Sequence, residues 1–173
     1  MASVILTPRL RLVPVARGDT DHICALLWHP QVRCHLCDNQ LLPRNHVEGW
    51  IADSLETGSL TSFWRMEASA GDFIGLIGLK PQSPDTLKLR AIGWRSLDVT
   101  VALHPAYWGK GLASQALNAI SDYALGEAIT FAIVATVDEP NVRSHRLFQR
   151  CGFNILGQIP GSLYPLIVYE RAL

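Results

Sequence analysis

The chain has 173 residues, fifteen basic and fifteen acidic side chains that cancel to a formal net charge of zero, and a 49% hydrophobic composition with only 17% charged residues. That length suits one packed domain spanning 1–173, and the balance of charge excludes a disordered polyelectrolyte and argues against generic binding to nucleic acid or an anionic membrane. No apolar run reaches the ~18 residues that cross a bilayer, and Met1-Ala2-Ser3-Val4-Ile5-Leu6-Thr7-Pro8 lacks the basic start and apolar core of a secretory signal, so a cytoplasmic location is expected.

Arg9 to Val15 alternates charged and apolar residues, as a half-buried strand does. Asp19-Thr20-Asp21 offers N-caps for a helix with its apolar stripe at Ile23, Leu26 and Leu27, ending near His29-Pro30. Cys34-His35-Leu36-Cys37 has CxxC spacing with His22, His29 and His46 nearby. It lacks a second CxxC or HxxxH pair and does not open a helix after a strand, so Cys24, Cys34, Cys37 and Cys151 are read as reduced, semi-buried apolar residues and no metal is expected. A second helix is predicted from Asn45, with Glu48 as a capping-box partner, Val47, Ile51 and Leu55 on one face, and Gly58 as its stop.

Ser62 to Ala68 and Phe73 to Leu79 read as a β-hairpin joined at Ser69-Ala70-Gly71-Asp72, followed by a polar loop from Pro81 to Arg90. Val99 to Leu103 is rich in β-branched residues, and Gly111 to Leu125 carries apolar residues at helical spacing with Gly126 as a C-terminal cap. Phe131 to Val137 is predicted as a buried strand, Asn141 to Arg150 as a helix, and Phe153 to Ile159 and Leu163 to Tyr169 as closing strands. The order specifies an α/β fold: one domain with a mixed, mostly antiparallel sheet of about seven strands and helices on both faces. Trp28, Trp50, Trp64 and Trp94 are expected in the core, and the oligomeric state, monomer or homodimer, is left open.

The chemistry concentrates at Trp108-Gly109-Lys110-Gly111-Leu112-Ala113, where a strand gives way to a helix. Two glycines and a lysine there suggest an unobstructed anion cradle at a helix N-terminus, although the same glycines serve an ordinary bend. A P-loop is excluded because Lys110 is followed by Gly111 and Leu112, with no hydroxyl for Mg²⁺. A dinucleotide fingerprint fails because Ser114 replaces its third glycine and the acids Asp138-Glu139 lie too far along.

Together with Asn141-Val142-Arg143-Ser144-His145-Arg146-Leu147-Phe148-Gln149-Arg150-Cys151-Gly152-Phe153, this turn resembles the GCN5-related N-acetyltransferase superfamily. Its acetyl-CoA loop follows Arg/Gln-x-x-Gly-x-Gly/Ala, met here as Trp108-x-x-Gly111-x-Ala113 with a departure at the first position. Leu103 to Ala113, Thr7-Pro8-Arg9-Leu10-Arg11-Leu12, Phe73 to Leu79 and Val168-Tyr169 look like the branch that contains the ribosomal-protein alanine N-acetyltransferases.

The resemblance implies acetyl-CoA as acetyl donor and a primary amine as acceptor, a protein or peptide N-terminus or a small molecule. It implies diphosphate contacts along Trp108, Gly109, Lys110, Gly111, Leu112, Ala113 and Ser114, with Asn141 also at the cofactor site. It further implies pairing of the pantetheine arm with the edge of Val101, Ala102 and Leu103, and an oxyanion contact from the amides of Val101 and Ala102. Where many members carry a tyrosine acid this chain has Phe148, so the resemblance points to Ser144 as the acid or thiol-orienting group. Asp98 matches a glutamate often found before this strand and is the candidate to polarise a water that takes the amine proton, with His35 and His104 as alternatives. Arg146 and Arg150 are candidates for the 3′-phosphate of CoA. The competing reading is a non-catalytic acyl-CoA-binding regulatory module. The acceptor would be contacted by the loops Cys34 to Pro43 and Pro81 to Trp94, which carry no recognisable signature.

Overall fold

The computed structural model describes residues 2–68, 71–89, 96–127 and 129–173. Eight strands form one sheet in the order β1-β2-β3-β4-β5-β6-β8-β7. They are β1 (Ile5–Leu6), β2 (Arg11–Pro14), β3 (Ser62–Glu67), β4 (Phe73–Pro81), β5 (Ser96–Leu103), β6 (Ala132–Asp138), β7 (Asn154–Ile159) and β8 (Leu166–Ala172). Every neighbouring pair is antiparallel except β5 with β6. The expected mixed sheet is present, with eight strands in place of about seven because Ile5–Leu6 adds an edge. Two residues are too short a run to show strand periodicity in sequence.

The helices are α1 (Thr20–Trp28), α2 (Pro30–Leu36), α3 (Arg44–Leu55), α4 (Pro84–Leu87), α5 (Leu112–Gly126) and α6 (Val142–Arg150). Ile23, Leu27, Val32, Val47 and Ile51 from α1–α3 pack on Phe63, Leu76 and Ala102 at one face of the sheet. Leu112, Ala116, Leu117, Ile120 and Phe148 from α5 and α6 pack on Trp64, Leu79, Val99 and Ala135 at the other.

Four local expectations are corrected. The loop read from Cys34 to Pro43 begins inside a helix, α2, that the sequence did not show: Pro30 starts it at a position where its missing N–H costs nothing, and the His29 imidazole accepts from the amide of Gln31. A single turn, α4, interrupts the Pro81–Arg90 loop, capped by the Ser83 hydroxyl. No capping box closes α3, which starts behind Pro43, and Glu48 instead accepts from Arg44 Nε at 3.0 Å. Gly126 is the last residue of α5 and not its cap.

Of the tryptophans expected in the core, Trp64 is fully buried and donates to the Ser3 carbonyl at 2.8 Å. Trp50 stacks on Phe63 at the rim, and Trp28 is 39% exposed. Ser69-Ala70 of the hairpin turn, Trp94 and the rest of residues 90–95 lie outside the described residues.

Candidate active site

A wedge opens in the middle of the sheet. Strand β5 pairs with β4 from Leu97 to Leu103, but among the described residues it meets β6 only at Ser96, Leu97 and Asp98. Beyond that point β6 stays bound to β8 as far as Asp138, so Val99–Leu103 and Ala135–Asp138 face each other without a ladder. The amide of His104 donates to the Ile74 carbonyl at 2.8 Å and extends the β4–β5 register by one pair. Alternation along an antiparallel ladder then commits the N–H and C=O groups of Thr100 and Ala102 to β4 and directs those of Val99, Val101 and Leu103 into the wedge. The expected oxyanion contact from the Ala102 amide is therefore corrected. That N–H belongs to the ladder opposite Leu76, which leaves Val101 as the wedge-facing donor of the pair.

The strand ends at the glycine turn. Gly109 and Gly111 both have φ of +74°, a left-handed backbone that residues with a Cβ rarely adopt. Gly111 is the N-cap of α5 and supplies no side-chain acceptor, so the first-turn amides from Leu112 to Ser114 stay open at the positive end of a 15-residue helix. Cations surround the turn. Lys110 lies over the Tyr107 ring, Arg9 reaches towards Gly111, and Arg143 stacks with its Cζ 4.5 Å from the centre of the Trp108 ring. Trp108 is itself tied down by a 2.6 Å bond from Nε1 to the Leu103 carbonyl. Arg143 was not singled out from sequence because no spacing links α6 to Trp108; the contact exists only once the two elements fold together. Arg143, Arg146 and Arg150 all border one cleft of about 970 Å³ that runs from the turn through the wedge.

Strand alternation divides the predicted catalytic residues between the two sides of the sheet. Leu97, Val99 and Leu103 point into the α5–α6 core, whereas Ala102 packs on the α1–α3 side, which places Asp98 and Thr100 on that side too. On the α6 side, the Asn141 carboxamide accepts from the Ser144 amide at 3.2 Å, so Asn141 acts as an N-cap, and half-buried Ser144 borders the cleft. Phe148, 3% exposed, packs against Phe153 and Tyr169. His145 Nε2 meets the Glu139 carbonyl at 2.9 Å and must donate there, so Nδ1 accepts from the Tyr169 hydroxyl at 2.8 Å. This pair locks α6 beside the wedge.

On the other side, Asp98 is 8% exposed. Its Oδ2 accepts from the Ser83 amide at 3.3 Å, and its Oδ1 has no partner among the described residues. Burial pushes its pKa up, against the opposing pull of the Ser83 amide and Lys80. A raised carboxylate pKa means that the folded state holds this proton more tightly than the unfolded chain. The resulting penalty is absent in acid, below the ordinary value of 3.8, and grows as pH rises through the raised value. Asp98→Asn is accordingly expected to flatten this part of the stability curve, and urea titrations of both proteins from acid to neutral pH measure the difference.

The two histidine alternatives separate. His104 uses Nδ1 to accept from the Ala106 amide at 3.3 Å, a local cap of the 3-10 turn Pro105–Tyr107. His35, on α2, meets Asp138 at the end of β6 with Nδ1 3.2 Å from Oδ2, and both border the cleft. Cys34 donates to the Gln31 carbonyl, and all four cysteines are free thiols. No cluster of three metal-ligating side chains occurs among the described residues, and no helix among them is long and apolar enough to cross a membrane.

The fold has many counterparts. The Salmonella typhimurium acetyltransferase that modifies the N-terminal serine of ribosomal protein L7/L12 superposes with a TM-score of 0.78 at 16% identity over 99% of both chains. Spermidine N-acetyltransferase from Vibrio cholerae, in complex with CoA and spermine, superposes with a TM-score of 0.77 at 20% identity over 96% of both. In sequence, the uncharacterized Bacillus subtilis protein YkkB is 26% identical over 171 residues, 96% of this chain and 94% of that protein. The acetyltransferase (GNAT) domain profile matches residues 9–154, a span that takes in the wedge, the glycine turn and α6, and the chain belongs to the GNAT acetyltransferase family.

Proposed function

We propose that this protein moves an acetyl group from acetyl-CoA to the free α-amine of a protein or peptide, as in the ribosomal-protein branch. One observation carries the reading: a sheet edge without a partner ends at a glycine cradle, with a hydroxyl on one side of the sheet and an unpartnered carboxylate oxygen on the other. The residues present fit the cofactor. A Cβ at Gly109 or Gly111 would be strained, the amides behind Gly111 are open, and the Val101 N–H and C=O together with the Leu103 N–H offer hydrogen bonds along the edge, the Leu103 carbonyl being engaged by Trp108. Bound there, acetyl-CoA supplies an activated acetyl thioester.

The chain's own groups do the rest. Trp108, Gly109, Lys110, Gly111, Leu112, Ala113 and Ser114 grip the diphosphate, and Arg143 brings the guanidinium that Trp108 lacks at the first loop position. Val101 and Leu103 align the arm, while Ala102 acts as wall. Asn141 fixes the first turn of α6 so that Ser144 can protonate or orient the departing thiolate. Asp98 Oδ1 receives the incoming amine on the opposite side. The second reading is a polyamine or similar small amine as acceptor, supported by the likeness of fold to the Vibrio cholerae spermidine N-acetyltransferase.

Thiol release measured with acetyl-CoA and a panel of Ser- and Ala-starting peptides, spermidine and an aminoglycoside tests the proposal. Peptide turnover supports it, and turnover confined to the small amines moves the acceptor to the second reading. CoA binding without any turnover favours a regulatory module. With a reactive acceptor, Ser144→Ala is expected to lower kcat by about 100-fold and leave CoA affinity within about twofold. An unchanged kcat removes Ser144 from the chemistry.

A further inference from the structure

We infer that His35, held by Asp138, is the group that accepts the acceptor amine's proton; the inference rests on the acetyltransferase reading and names a residue of that same site. Strand β6 is in the phase that sends Ile133, Ala135 and Val137 into the α5–α6 core, so Asp138 projects to the α1–α3 side, as Asp98 does from β5. Helix α2 lies over this side and brings His35 down onto Asp138 at the mouth of the wedge. Ser144 belongs to α6 on the other side. The two proton transfers therefore have separate exits, one towards the thiol and one towards the amine.

The hydrogen bond fixes the chemistry of the ring. The Asp138 carboxylate, 7% exposed, can only accept, so Nδ1 of His35 carries the hydrogen and Nε2 keeps its lone pair. The side chain of His35 is 31% exposed, which gives a proton taken up at Nε2 a path to water. When the amine nitrogen bonds to the acetyl carbon and the carbon–sulfur bond breaks, the surplus N–H proton passes to Nε2 and then to solvent, while Ser144 serves the thiolate.

Asp98 is poorly suited to that final role. It is 8% exposed, so a proton taken there has little access to water, whereas the His35 side chain is 31% exposed. Charged and titratable groups of the same cleft come from several elements: Asp138 from β6, Asp98 from β5, Lys80 from β4, Asp85 from α4 in an ion pair with Lys88 at 2.7 Å, Cys34 and Asp38 from α2 and its end, and Arg143, Arg146 and Arg150 from α6. The Tyr164 ring centre lies 6.4 Å from that of His35, and Lys80 lies over the Trp50 ring.

The experiment pairs kinetics with a measurement that needs no acceptor. For wild-type protein with a panel amine that reacts, kcat/KM is measured against pH. His35→Gln should change the shape of that profile and lose about 100-fold in rate at pH 7 with CoA affinity unchanged, and added imidazole should restore part of the rate of His35→Ala. Asp138→Asn should also lower the rate with CoA affinity unchanged, and Asp138→Glu should recover part of it. Wild-type rates and pH profiles in the His35 variants overturn the inference. Long-range ¹H–¹⁵N spectra of the whole protein should find His35 protonated at Nδ1 and bare at Nε2, and the reverse tautomer also overturns it. If wild-type protein acetylates no amine in the panel, the function proposal falls, and the tautomer still decides whether this pair is set up as a base.

Discussion

Gly111→Val is expected to abolish measurable CoA binding, raising Kd by at least about 100-fold, or about 2.7 kcal/mol. Position 111 has φ of +74°, which a β-branched residue tolerates poorly, and it is where the chain turns from strand to helix. Relaxing the strain moves the 109–111 backbone and swings the open amides of Leu112 to Ser114 away from their common focus. An added Cβ would also come into contact with Arg9, 3.4 Å from its Nη2. Titration calorimetry with CoA, alongside a thermal melt to show that the fold survives, makes the measurement. Retained affinity in a folded variant refutes the cradle.

Gly78→Val is the expected severe lesion of the scaffold. Gly78 faces Phe63 across the β3–β4 ladder, and a Cβ at 78 would lie 2.1 Å from Phe63 Cδ1. The ring has nowhere to go, being 2% exposed and stacked against Trp50 with centroids 5.5 Å apart. Overpacking of this kind costs about 3 kcal/mol, or roughly 6–12 °C in Tm for a chain of this size. A double-mutant cycle with Phe63→Ala should show strong non-additivity because the truncated ring makes room for the new side chain. Full additivity would show that the clash is relieved elsewhere.

Much of this architecture was legible in the sequence because its signals are local. The alternation of β3 and β4, the apolar stripe of α5, the glycine turn and the Asn141 cap each lie within one stretch of chain and follow from its stereochemistry alone. What was missed depended on distance or brevity. Helix α2 was hidden by Pro30, which reads as the end of α1, and by a CxxC spacing that drew attention to its sulfurs. Yet His29 closes one helix and caps the next. The stacking of Arg143 on Trp108 and the bond between His35 and Asp138 join segments remote in sequence, and neither contact leaves a periodic trace. The Ala102 amide was misassigned because the direction of a strand's N–H groups depends on the phase of its ladder, which only the β4 pairing reveals.

Among the described residues, the three residue pairs that join β5 to β6 are the sole ladder between the β1–β5 and β6–β8 halves of the sheet. The sheet is thus two antiparallel blocks joined by a ladder at one end and by the shared α5–α6 core, and the proposed cofactor is the strand that completes their seam. Cofactor supply then becomes a variable of folding as well as of rate: at 100 times Kd, about 2.7 kcal/mol is added to the stability of the whole sheet. Amide exchange at Val101 and Leu103 should slow together with that of the far block.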